Sequence, residues 1–224
     1  MRNATSLIIG VALIAFVALG CSKIMPGSNS TGSSNGSAPT GTAPSTGEPF
    51  RPSGDVKTDL QEISKRFTAT PAFQSKMTGE GDKPFNMEVS YQAPDRYHLV
   101  TGAFETIIIG KDRYTRIGGT WQKQATQLDQ SIPAMRDMFT EQGLKLMTDA
   151  AFVGDDTVDG KPALQYKFKS GGMQGVGANE SQLWISKADG MPLKVAVKYD
   201  AGVLKTATIN YTYDTSVKVE APTP

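Results

Sequence analysis

Few of the 224 side chains could carry covalent or metal chemistry, and their spacing is poor for it. The one histidine, His98, sits among Tyr97, Leu99 and Val100 in an alternating stretch, a setting that suits a structural or surface imidazole. No G-x-S-x-G, HExxH or glycine-rich phosphate loop is present. Asp155, Asp156 and Asp159 (DDTVDG) lack the ligand spacing and closing Glu of a calcium loop and read as a solvated hairpin. Arg96, Arg113 and Arg116 either hold a lipid headgroup at a cavity mouth or occupy exposed strand positions. Trp121 and Trp184 either pack or line a cavity. These residues argue against an enzyme and imply no cofactor and no metal. The only cysteine, Cys21, closes an apolar run and has no partner with which to form a disulfide.

That run, Leu7 to Leu19 (LIIGVALIAFVAL), is 13 residues long. At ~1.5 Å per residue it makes about 20 Å of helix against a ~30 Å hydrocarbon core, so it fits the apolar segment of a secretory signal and not a membrane span. Ala18-Leu19-Gly20-Cys21 resembles a bacterial lipoprotein processing site, although Ala18 and Leu19 depart from the usual Leu and small residue. The resemblance implies cleavage before Cys21 and a diacylglycerol on its thiol. Residues 1–20 are then a signal peptide, and the protein is exported and held on the cell membrane or outer membrane, its domain facing periplasm or exterior. From Ser22 to Gly54, 25 of 33 residues are Ser, Thr, Gly, Pro or Asn, a composition that cannot offset the entropy of ordering. Residues 21–54 are therefore read as the lipidated cysteine and a flexible linker, and 55–224 as the single folded domain.

With 20 cationic and 21 acidic side chains, that domain lacks the basic excess of a nucleic-acid binder. Asp55 can cap a helix whose apolar positions Val56, Leu60, Ile63 and Phe67 share one face, ending by Thr68 to Pro71. Strict alternation then marks strands: Phe85, Met87, Val89 and Tyr91; Leu164, Tyr166 and Phe168; and Leu193, Val195, Val197 and Tyr199. Turn signals at short intervals predict an antiparallel meander of about ten strands. One segment breaks it. Ser131 and Pro133 open a second expected helix that presents Ile132, Met135, Met138, Phe139, Leu146 and Met147 on one face, with Gly143 as a potential break. A flap at 171–178 (GGMQGVGA) follows.

An open sheet of ten strands is ~45 Å wide, whereas one helix covers ~10–12 Å, so the few helices cannot cover a whole apolar face. Closure into a barrel, strong curvature, dimerisation or an apolar ligand would resolve this. The three methionines of the second helix read either as core filler or as a ligand lid. The order of short helix, meander, central helix and further meander resembles the LolA/LolB-like lipoprotein carrier superfamily, which includes the lipid-binding lipoproteins LppX and LprG. The stretches that carry the resemblance are TIIIGKDRYTRIGGTWQK (106–123), LWISKADGMPLKVAVKYDAG (183–202) and TINYTYDTSVKVEAP (208–222). It implies a mainly β (α+β) fold, a single curved antiparallel sheet forming an unclosed half-barrel whose concave face is covered by a few helices. It also implies a lipid or acyl chain held in a hydrophobic cavity for transport or insertion. The residues expected to bind it are Phe85, Met87, Val89, Tyr91, Met135, Met138, Phe139, Met147, Leu164, Tyr166, Phe168, Val195 and Val197. The expected partners are that lipid, the membrane through the N-terminus, or an envelope protein in a structural or sensory role, with no nucleic acid and a monomeric state.

Overall fold

The computed structural model describes residues 49–125, 139–170 and 179–223. Cys21, Met135, Met138 and the flap at 171–178 lie outside them. Helix α1 spans Val56–Thr68. It starts where the Asp55 carboxylate accepts the Thr58 N–H at 2.7 Å, and Lys65 and Arg66 in its last turn complement the helix dipole. Six strands follow: β1 (Ala72–Gly81), β2 (Phe85–Gln92), β3 (Arg96–Thr101), β4 (Phe104–Ile109), β5 (Asp112–Ile117) and β6 (Thr120–Ala125). A one-turn helix, α2 (Glu141–Lys145), precedes β7 (Met147–Val158), β8 (Lys161–Ser170), β9 (Asn179–Ser186), β10 (Pro192–Tyr199) and β11 (Leu204–Thr212).

All eleven strands form one antiparallel sheet, in the order β6-β5-β4-β3-β2-β1-β11-β10-β9-β8-β7. Two hairpin meanders are joined at β1 and β11, where Gln74 pairs with Thr212 and Thr78 with Thr208. The edges β6 and β7 do not meet, so the sheet is the unclosed half-barrel that the sequence implied. Edge β7 carries two register shifts, and Asp149, Asp155 and Asp156 are exposed along it, features that discourage pairing with another chain.

One side chain row shows how the alternation builds a core. Met87, Met77, Ile209, Val195, Leu183 and Tyr166 face one another across six strands, from β2 to β8. Helix α1 lies across this face. Its Asp59 reaches Tyr166 on β8, and its Phe67 meets Phe73 on β1 and Tyr211 on β11. Beside the row, the ring of Phe85 lies so close to Gly79 that a Cβ there would overlap it, which explains a glycine inside a central strand.

Three expectations are corrected. Met147 is the first residue of β7, and Leu146 is exposed, because the helix before them is a single turn capped by Thr140. Leu193 does not share a face with Val195 and Val197. The register shift between Pro192 and Lys194 turns it into a second small cluster with Ala163 and Trp184. The folded unit also begins before Asp55. Phe50 is buried, its N–H bonds the Lys187 carbonyl at 2.8 Å, and its ring lies under the Arg66 guanidinium.

Candidate functional site

Of the residues expected to bind a ligand, Val89, Tyr91, Phe139, Leu164, Tyr166, Phe168, Val195 and Val197 are buried in one cluster under α1, with Met87 and Met147 packed against it. Phe85 is half-buried on the same face of β2. The structure thus gathers these side chains, but around the helix it fills the space between them. Tyr91, Tyr166, Phe67 and Phe139 are all almost completely enclosed.

The open space lies beside α1. A groove of about 1430 Å³ runs between α1, α2 and the start of β7. Val56, Leu60, Leu144, Met147 and Ala150 supply its apolar lining, and Lys57, Lys65 and Lys145 its charge. Leu60 and Ser64 form the wall toward the core, and the Ser64 hydroxyl bonds the Phe139 carbonyl. Of the residues expected to bind a ligand, Met147 is the one among the described residues that borders this groove. The signal for the rest was present but unused: Lys57, Gln61 and Lys65 recur every four residues, a stripe down the side of the helix next to its apolar face.

Two polar features of the buried face went unread in the sequence. The Asp59 carboxylate, 3% exposed, accepts the Tyr166 hydroxyl at 3.0 Å and both the N–H and the hydroxyl of Ser53 at 2.7 Å. Burial first, then this bond, pushes the Tyr166 phenol well above its ordinary pKa. Ser75 and Tyr211, direct partners across β1 and β11, have buried hydroxyls with no hydrogen-bond partner among the described residues. Burial alone raises the Tyr211 phenol. Tyr211→Phe should therefore leave stability unchanged or raise it by up to ~1 kcal/mol in urea unfolding, since it removes an unsatisfied group and keeps the ring.

The other sheet face carries ion pairs and a small apolar cluster. His98 Nε2 lies 2.8 Å from Glu105 Oε1, and Arg116 donates to Glu105 Oε2 at 3.0 Å. Arg116 pairs with Trp121 across β5 and β6, and Arg96 donates to the Val219 carbonyl at 3.0 Å. Arg96 and Arg116 thus belong to the face away from α1 and not to a cavity mouth. Trp184 also faces that way, its indole N–H bonded to Asp156 at 2.7 Å, so it packs a surface cluster. The Arg116 bond first, then the His98 bond, hold the Glu105 carboxyl below the ordinary range. A carboxyl depressed in the folded state stabilises above its unfolded pKa and loses that contribution as pH falls through the folded one. Glu105→Gln should accordingly flatten the fall of Tm with acidification below about pH 4.3, the ordinary glutamate value.

Among the described residues no His, Cys, Asp and Glu converge as a metal site, and no helix is long and apolar enough to cross a membrane. No family model matches the chain, and no curated protein matches it. Solved structures do. LprF from Mycobacterium bovis aligns over 78% of this chain and all of its own, with a TM-score of 0.56 at 15% identity. The fold is that of LprF. The Mycobacterium tuberculosis lipoprotein LppX shares it, at a TM-score of 0.58 and 11% identity over 75% of this chain and the whole of LppX. At such identities the LprF-like architecture is what is shared, and it agrees with the half-barrel implied by the resemblance to the LolA/LppX-like superfamily.

Proposed function

We propose that this protein is an exported lipoprotein, anchored through Cys21, that takes the acyl portion of a lipid into the groove beside α1 for transport or insertion in the cell envelope. Residues 1–20 are its signal and the segment from Cys21 to Pro49 its tether, Phe50 being part of the fold. The observation that carries the reading is the groove itself: about 1430 Å³, with Val56, Leu60, Leu144, Met147 and Ala150 set in an otherwise polar lining, on an LprF-like half-barrel. It exceeds the ~300–1,000 Å³ of a small-molecule pocket. Each methylene it removes from water contributes ~0.8 kcal/mol, so binding needs no covalent step. Solvent extraction of the purified full chain, followed by mass spectrometry, should recover a non-covalently held acyl lipid. Ala150→Trp, which adds bulk at an exposed lining position, should abolish that recovery and the binding of a fluorescent fatty acid. A chain that stays empty and leaves the probe unchanged sinks the reading.

One observation favours a second reading, a structural or sensory envelope lipoprotein that docks on a protein. The sheet face under α1 is already filled by the protein's own side chains, Tyr91, Tyr166 and Phe139 among them. Retention of that filled core with no lipid in the groove is the outcome that selects it.

A further inference from the structure

The groove's charges point to the chemistry of its ligand, an inference that rests on the lipid-binding reading above. Lys57 and Lys65 stand eight residues apart on α1, about 12 Å along the helix, and Lys145 of α2 lines the same groove. All three are exposed, and none has an ion-pair partner among the described residues. Two acids line the same groove, and the charge of Asp55 also acts on Lys57. The Asp55 carboxylate caps α1 through Thr58, and Glu62 pairs with Arg66 at 2.9 Å. Lys76, Lys123, Lys169 and Lys187 are matched to carboxylates and other exposed lysines among the described residues are not, so what distinguishes Lys57, Lys65 and Lys145 is that they line one groove.

We infer that the groove selects an anionic amphiphile, its acyl chains against Val56, Leu60, Leu144 and Met147 and its phosphate or carboxylate among Lys57, Lys65 and Lys145. Ammonium groups attract such a headgroup as point charges, so the preference should weaken with salt, as exposed charges are screened within ~10 Å at 0.1 M.

The test is native mass spectrometry of the full chain released from detergent micelles, offered phosphatidylglycerol, phosphatidylcholine of the same chains, or inorganic phosphate alone. The expected result is retention of phosphatidylglycerol at least about ten-fold over phosphatidylcholine, with no adduct from phosphate alone. Lys57→Gln, Lys65→Gln and Lys145→Gln together should erase the preference while both lipids still bind, and the three Arg replacements should restore it. Circular dichroism on each variant reports folding, and the Arg set keeps the comparison meaningful if the Gln set unfolds. Equal binding of the two lipids, unmoved by either set, overturns the headgroup inference and leaves the lipid reading intact. Binding of neither lipid overturns both. Phosphate binding as tight as phosphatidylglycerol binding overturns the amphiphile and leaves a simple anion site.

Discussion

Phe67→Ala should lower the free energy of unfolding by about 3–5 kcal/mol, the range for truncating a buried aromatic side chain. Phe67 is 1% exposed, and its ring centroid lies 5.1 Å from Phe73, 4.9 Å from Phe139 and 5.6 Å from Tyr211. It joins three separate parts of the chain: the first strand, the last strand and the segment leading into α2. Truncation leaves a hole walled by rings, which are too rigid to collapse into it, so the cost should sit at the upper end. Urea or guanidinium unfolding with an unchanged m-value measures it. Phe67→Leu should recover more than half of the loss. A cost under about 1.5 kcal/mol for the alanine variant would mean that Phe139 moves in to fill the space, and that the aromatic cluster is not what holds α1 to the sheet.

Asp59→Ala should cost a similar amount, about 3–4 kcal/mol, for a different reason. One buried carboxylate receives three hydrogen bonds, two from Ser53 and one from Tyr166, and it sits in the first turn of α1, where the helix dipole favours negative charge. Removing it strands the Tyr166 hydroxyl in a side chain with no exposure. The double variant Asp59→Ala with Tyr166→Phe should therefore be more stable than Asp59→Ala alone, by about 1–2 kcal/mol, because the stranded donor is gone. Additive losses in that cycle would contradict the direct coupling seen in the geometry.

Most strands were legible because a half-buried strand must alternate. Phe85 to Tyr91 and Leu164 to Phe168 show that alternation, and the structure puts both on the face under α1. Leu193 shows where the rule fails. A bulge beside Pro192 moves one residue out of phase, and a pattern of side chains carries no sign of a backbone irregularity. Asp59 was readable in principle. It stands three residues after Val56 and four before Ile63, so helical spacing places it on the buried face, where a carboxylate needs donors. Its charge made it resemble an ordinary surface residue. The groove was harder to see, because it depends on how α1, α2 and β7 meet, which is tertiary information that no local period encodes. The early start of the fold at Phe50 was hidden by its Ser- and Pro-rich neighbours, whose composition outweighs one aromatic residue.

The join between β1 and β11 sets the order in which the protein can be built. Each meander zips from neighbouring strands, so its loops close cheaply as the chain lengthens. The seam is different: Gln74 must wait for Thr212, and the buried row from Met87 to Tyr166 is interrupted until Ile209 arrives. A nascent chain therefore holds two half-sheets, each with an apolar face and an unsatisfied edge, until β11 is made. Pairing of β11 with β1 closes the seam, and every earlier stage needs protection from aggregation.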